Sequence, residues 1–243
     1  MNLTIDIGNS RSKLAVIRGG EIIEVSGSDG LNPEVIQEIT KRYPGIRNVI
    51  LSTVRNPDPA LVDLLKSQFE NFIELTEETP IPIKNLYQTK NTLGKDRLAS
   101  VVGANNIFPD TNVLVIDLGT AATFDLINEQ NQYLGGNISP GLTMRFKALH
   151  HFTDRLPLLE KKDTYPLIAR NTNEAIISGV LNGLSFEIDS YINTLKTKYN
   201  DLKVFLTGGD AIFFDKKLKN TIFVNLNLNF TGLNRILEYN IKA

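Results

Sequence analysis

The tetrapeptide Ile5-Asp6-Ile7-Gly8 returns as Ile116-Asp117-Leu118-Gly119, an offset of 111 residues in a chain of 243. Each copy closes a short β-branched run, Asn2 to Ile7 (NLTIDI) and Asn112 to Leu118 (NVLVIDL), which reads as a strand delivering a carboxylate at its end. Outward from the first copy, Ser12 to Ile17 and Glu21 to Val25 alternate as further strands around an Arg18-Gly19-Gly20 turn. Outward from the second, Thr123 to Ile127 and Tyr133 to Ile138 do the same around a polar turn at 128–131. Two meanders, each hung on an Asp-x-Gly turn, are thus predicted.

The later parts of the halves also correspond. Leu31 to Tyr43 has helical spacing and precedes the apolar run Asn48 to Thr53; Glu174 to Tyr199 has the same character and precedes Lys203 to Thr207. The first of these strands runs into Asn56-Pro57 and the second into Gly208-Gly209. A duplicated α/β unit accounts for all of this, with lobes at 1–110 and 111–243 and a short junction near Phe108-Pro109-Asp110.

Composition removes several classes of function. Lys+Arg 26 against Asp+Glu 27 leaves a net charge of −1, so no positive field draws the chain to nucleic acid or to an anionic membrane. Absence of Cys excludes disulfides, thiolate metal sites and cysteine nucleophiles. His150 and His151 are neighbours and the only histidines, which disfavours a His-centred triad, and they read as surface or interface residues. With no leader and no long apolar stretch, the expectation is a soluble cytoplasmic protein.

At both acidic strand ends the chain turns tightly, so backbone N–H groups and small hydroxyls face the same space as the carboxylate, an arrangement suited to phosphate. A cation between carboxylate and phosphate resolves their repulsion: Mg²⁺ with its water, or a monovalent ion, lets Asp6 and Asp117 hold nucleotide phosphates indirectly. Lys13 on the returning strand can reach a phosphate oxygen. Leu93-Gly94-Lys95-Asp96-Arg97 opens a helix, placing Asp96 in its first turn. There an ionised carboxylate can orient or deprotonate an alcohol while Arg97 binds an anion, or the segment is a plain cap with a solvated Arg. Gly135-Gly136 to Gly141 suits either close approach to a ligand or a sharp reversal into the helix Leu142 to Leu149. Thr207-Gly208-Gly209 suits either a flat base or ribose or a tight turn, and Thr172 most simply caps the helix that begins near Asn173-Glu174.

Taken in order, Asp6-Ile7-Gly8-Asn9-Ser10 through Lys13, Gly94 to Arg97, Ile116 to Thr123, Gly135-Gly136 to Pro140-Gly141 and Thr207-Gly208-Gly209 resemble the type III pantothenate kinases of the actin, sugar-kinase and heat-shock-chaperone superfamily. The resemblance implies an α/β duplicated ribonuclease H-like (actin-like ATPase) fold, two lobes with mixed sheets flanked by helices. It implies transfer of the ATP γ-phosphate to the primary hydroxyl of pantothenate, giving 4′-phosphopantothenate, the first step towards coenzyme A. By that resemblance Asp6, Ile7, Gly8, Asn9, Ser10, Arg11, Ser12, Lys13 and Thr120 contact ATP. Asp117 ligates a monovalent cation (K⁺ or NH₄⁺), Asp6 serves Mg²⁺ through water, and Asp96 accepts the proton. Gly94, Lys95, Asp96 and Arg97 bind pantothenate, helped by Tyr87 and Thr172. It also implies a homodimer with its substrate pocket near the interface, which suits Phe146, Leu149 and Phe152. Departures are Ser10 where Thr is commoner, Lys95 as an extra charge in the substrate motif, and Asn171 before Thr172. Other readings are a non-catalytic nucleotide-binding regulator and another small-molecule kinase of the superfamily; retention of both Asp6 and Asp96 favours an enzyme.

Overall fold

A computed structural model describes residues 1–8, 12–28 and 30–241. Asn9, Ser10 and Arg11 of the expected phosphate loop lie outside the described residues. The chain divides into two units, Met1–Pro109 with Asn227–Ala243, and Asp110–Leu226.

The first unit begins with β1 (Asn2–Ile7), β2 (Ser12–Arg18) and β3 (Glu21–Ser28). Gly19 and Gly20 both take positive φ (60° and 87°), the conformation that lets the β2–β3 hairpin turn follow strand twist. There follow α1 (Pro33–Arg42), β4 (Asn48–Thr53), α2 (Pro59–Gln68), β5 (Asn71–Glu74), the two-residue β6 (Lys84–Asn85) and α3 (Lys95–Ile107). α1 and α2 start for the same local reason: Asn32 and Asp58 accept from the N–H groups of Val35 and Ala60, and a proline fills the first turn of each. The sheet order is β3-β2-β1-β4-β5, with β1–β2 and β2–β3 antiparallel and β1–β4 and β4–β5 parallel. Leu3, Ile5 and Ile7 point to one face, where Ile36, Ile39, Leu61 and Leu65 of α1 and α2 close the core.

The second unit comprises β7 (Val113–Leu118), β8 (Ala121–Ile127), β9 (Gln132–Pro140), α4 (Leu142–His151), α5 (Thr172–Lys196), β10 (Lys203–Thr207), α6 (Ala211–Asp215) and β11 (Phe223–Val224). Its strands run β11-β10-β7-β8-β9, and each pairing has the same sense as its counterpart in the first unit. The repeated tetrapeptide therefore marks a repeated sheet.

The last helix, α7 (Leu228–Ile241), returns to the first unit, although the sequence halves place it in the second lobe. Its docking is set by two glycines: a Cβ on Gly232 would lie 1.7 Å from the Ala99 carbonyl oxygen, and one on Gly103 would lie 2.2 Å from that of Leu228. α3 and α7 are thus packed backbone to backbone. α7 also covers the even-numbered face of β1. Asn2 Nδ2 donates to Asn234 Oδ1 at 2.8 Å, and Asn48 and Asn71, level with Asn2 in the parallel register, extend a side-chain ladder at 2.8 and 2.7 Å.

Two local expectations change. Gly135-Gly136 belongs to the interior of β9, where a Cβ on Gly136 would stand 1.9 Å from the Phe124 carbonyl oxygen; these glycines let β9 pass close over β8, while the reversal is made at Gly141. The cap of α5 is Asn171, whose Oδ1 accepts from Glu174 N at 3.0 Å, so Thr172 is left free of that duty.

Gly232→Ala is expected to destabilise the fold by at least about 1–3 kcal/mol because the helices must part. Gly183→Ala on α5, where an added Cβ meets nothing within 4 Å, should be neutral or stabilising. Urea unfolding of the two variants checks the opposite signs.

Candidate active site

In each unit the acidic residue is the penultimate residue of the central strand, and the register fixes what surrounds it. Asp6 lies opposite Lys13 on β2 and Ser52 on β4; Asp117 lies opposite Thr123 on β8 and Thr207 on β10. Both carboxylates thus have a hydroxyl on the parallel side, but the basic residue beside Asp6 is replaced by a threonine beside Asp117.

Asn229, in the first turn of α7, donates from Nδ2 to Asp6 Oδ2 at 2.9 Å. Among the described residues, Asp6 Oδ1, Ser52 Oγ and Asn229 Oδ1 are buried and find no hydrogen-bond partner. Burial pushes the Asp6 carboxyl up to about 6, the Asp96 charge adds to the rise, and the Lys13 ammonium and the Asn229 amide oppose it. A carboxylate oxygen withdrawn from water without a donor is chemically matched to a cation. Among the described residues no group of three or more acidic or histidine side chains is arranged to hold a metal ion, so such an ion would complete its shell with water and phosphate. Of the expected phosphate-loop residues, Ile7 and Ser12 are buried and Lys13 is exposed on β2.

The acceptor motif assembles in the same unit. Gly94 caps α3, and Asp96, exposed in its first turn, accepts from Arg97 N at 2.8 Å. A Cβ on Gly94 would stand 2.5 Å from Asp96 Oδ1, so glycine gives that carboxylate room to fold back over the helix start. Arg97 is 6% exposed, which rules out a solvated cap residue, and its guanidinium carbon lies 5.6 Å from the Tyr87 ring centroid. Tyr87 is itself set by an Asx turn, its N–H donating to Asn85 Oδ1 at 2.9 Å. Half-buried Lys95 and Gly94 border a cleft of about 390 Å³, whose opposite wall is the loop after β4, Thr53 to Pro57. Arg55 and Asn229 were not singled out in the sequence. The duplication carried the signal for Arg55, since its loop is the counterpart of Gly208-Gly209. For Asn229 no local pattern exists.

In the second unit the turns picked out by glycine converge on Asp117. Gly208 (φ 91°) passes so close that a Cβ there would stand 2.4 Å from Asp117 Oδ1, and one on Gly141 would stand 2.4 Å from the carbonyl oxygens of Gly119 and Thr120. Thr120 is exposed on that turn. Thr172 lies elsewhere in this unit, exposed beside an apolar groove of about 720 Å³ between α4 and α5. Phe146 is 3% exposed and belongs to the core, not to a surface; Phe152 is 81% exposed. His150 is exposed, with Nδ1 2.8 Å from the Leu156 carbonyl oxygen.

The family model for type III pantothenate kinase matches residues 2–194. The chain belongs to the type III pantothenate kinase family. It is 48% identical over 246 residues to the type III pantothenate kinase of Phocaeicola vulgatus, covering 100% of both chains, and 43% identical over 240 residues to that of Bacteroides fragilis, covering 99% of this chain and 98% of the relative. Among solved structures, one from Campylobacter jejuni assigned to the Baf family of transcriptional activators superposes with TM-score 0.62 at 24% identity, covering 99% of this chain and 100% of that one. Component A of (R)-2-hydroxyglutaryl-CoA dehydratase from Acidaminococcus fermentans superposes with TM-score 0.51 at 14% identity, covering 98% and 96%. At such identities the likeness speaks for the fold, the actin-like and sugar-kinase ATPase architecture that the family resemblance implied. Membership of the type III pantothenate kinase family makes the chain a kinase, with ATP as co-substrate.

In ligand-free protein the raised Asp6 value predicts a pH-dependent penalty. Between the ordinary carboxyl value of 3.8 and about 6 the folded chain holds a proton that the unfolded chain releases, so this contribution to stability is lost as pH rises through that window. Asp6→Asn is therefore expected to gain stability relative to the parent between pH 4 and pH 7, by about 2–3 kcal/mol. Denaturant titrations of both proteins at the two pH values check it.

Proposed function

We propose that this chain transfers the γ-phosphoryl group of ATP to the primary hydroxyl of pantothenate, giving 4′-phosphopantothenate and ADP, the first step towards coenzyme A. The observation that carries the reading is the grouping in one unit of Asp96 at the start of α3, the Tyr87–Arg97 stack beside it, and Asp6 at the end of β1, close enough for Asp96 to raise its carboxyl. The closely matched family members bear the same activity in their names.

In this mechanism Asp96 accepts the hydroxyl proton as the acceptor oxygen forms its bond to the γ-phosphorus, and the bond from that phosphorus to the β–γ bridging oxygen breaks with its electron pair leaving on ADP. Arg97 and Tyr87 hold the acceptor, with Gly94 and Lys95 shaping its approach. Lys13 and the loop from Asp6, including Asn9, Ser10 and Arg11, hold the phosphates, as does Thr120. Asp6 would hold hydrated Mg²⁺ and Asp117 a monovalent ion, each supplying positive charge that neutralises the phosphates. The buried Asp6 Oδ1, unpartnered among the described residues, and the close approach of the Gly208 backbone to Asp117 support those roles. Positioning and charge neutralisation carry most of the rate in such transfers, which is consistent with a site free of Cys and His.

The reading includes a homodimer, supported by the apolar groove lined by Leu149, Leu156, Ile176 and Val180, near which Thr172 would meet substrate. It includes a cytoplasmic location; among the described residues no helix is long and apolar enough to cross a membrane.

Asp96→Asn is expected to lower turnover roughly 10²–10⁴-fold while ATP affinity is kept, as read by steady-state kinetics and calorimetric titration. An unchanged rate removes Asp96 as the proton acceptor. A coupled assay of ADP release should show turnover that requires pantothenate and is faster in potassium or ammonium than in sodium. ATP binding without acceptor-dependent turnover would select a nucleotide-binding regulator instead, and full activity in sodium alone would remove the monovalent ion from Asp117.

A further inference from the structure

The parallel pairing of β1 with β4 brings the chain beyond β4 level with the end of β1. Ile7 is level with Thr53, and Val54 N donates to the Ile7 carbonyl oxygen at 3.1 Å, carrying the pairing one residue past the strand. Arg55 comes next. Its backbone is held in a tight turn: Thr53 Oγ1 donates to the Arg55 carbonyl oxygen at 2.5 Å and accepts from Arg55 N at 3.2 Å. The buried hydroxyl of Thr53 thus fixes where the exposed side chain starts.

From that anchor the guanidinium reaches back to the phosphate loop, Nη2 donating to Ser12 Oγ at 3.4 Å. Arg55 also lines the cleft of about 390 Å³ that Leu93, Gly94 and Lys95 of the acceptor motif line. Among the described residues it makes no ion pair with a carboxylate, unlike Arg42, Arg47 and Arg145. An exposed arginine, fixed at its backbone, touching Ser12 and lining the same cleft as Gly94 and Lys95, has its charge available for an anion there.

The local charge balance calls for such a group. Asp6 and Asp96 are close enough for their negative charges to interact, and Lys13 lies opposite Asp6 on β2, away from the β4 side that carries Arg55. A transferring phosphoryl group carries charge on three equatorial oxygens, and a planar guanidinium can take two of them at once. Lys95, lining the same cleft, is a point charge without that fork.

We propose that Arg55 is a further catalytic residue, whose guanidinium leaves Ser12 to bind the γ-phosphoryl oxygens as that group passes from ATP to the acceptor hydroxyl. This rests on the kinase reading above. The bonds made and broken are those already given; Arg55 takes no proton and forms no covalent bond, and acts by matching charge that is held most closely during transfer.

The test is steady-state kinetics of the parent, Arg55→Met and Arg55→Lys with ATP and pantothenate, with guanidinium chloride added at millimolar concentration to Arg55→Met. Expected for Arg55→Met is a fall of roughly 10²–10³-fold in kcat, with the KM for pantothenate changed less than about threefold and partial recovery by free guanidinium. Arg55→Lys, keeping charge without the fork, should fall between. The unfolding midpoint should be unmoved, since the side chain is exposed. A kcat within about twofold of the parent overturns the proposal, as does a loss confined to the KM for pantothenate, which would make Arg55 a binder of the acceptor's carboxylate. If the parent shows no pantothenate-dependent turnover, it is the kinase reading that fails, and the parent arm reports that separately.

Discussion

The site depends on one constraint, the parallel pairing of the central strand with the strand that follows the crossover helix, β1 with β4 and β7 with β10. Parallel strands end at the same edge of the sheet, so the loops leaving them are forced side by side. An acidic residue at the end of the central strand then finds a buried hydroxyl beside it, Ser52 for Asp6 and Thr207 for Asp117. The following loop, Val54 to Pro57 or Gly208 to Asp210, becomes the neighbour of the acidic turn. Hydrogen bonds from Val54 N to the Ile7 carbonyl and from Asp210 N to the Leu118 carbonyl, both 3.1 Å, join the loops in the two units.

Around this shared frame the units have specialised in opposite directions. Beside Asp117 the chain removes side chains: Gly119, Gly141 and Gly208 bring three backbone segments so close that a Cβ on Gly141 or Gly208 would collide. Beside Asp6 the chain adds polar side chains instead, Lys13, Ser52 and Asn229, and three buried oxygens find no partner among the described residues. The cost shows in the Asp6 carboxyl, held up at about 6. A functional group kept at the expense of stability is the usual signature of a site shaped by its ligand.

The acceptor side follows from helix chemistry. Gly94 is where α3 begins, and its missing side chain is what lets Asp96 lie over the helix start and accept the Arg97 N–H. Arg97 then turns inward to Tyr87, so adjacent residues of one turn serve opposite environments, one exposed and one buried against a ring. α3 is fixed in turn by α7 through Gly103 and Gly232, and α7 carries Asn229 to Asp6. Removal of a helix contact remote from the chemistry would move both carboxylates.

Much of this was legible in the sequence because it is local. The Asp-x-Gly turns, the strands with period-two alternation and Gly94 before Asp96 each depend on a few consecutive residues, and the return of the Asp-x-Gly strand end after 111 residues disclosed the duplicated sheet. Other features belong to contacts between distant segments, which no local pattern records. Asn229 meets Asp6 across 223 positions, α7 rejoins the first unit because two glycines let backbones touch, and Gly136 is glycine for the sake of Phe124 on the next strand. Arg55 looks like an ordinary loop residue until strand pairing sets it beside Ser12. The sequence by itself determined which elements form and where acidic groups end them; only tertiary structure decided which side chains those groups face, because facing is fixed by register and helix docking between residues far apart in the chain.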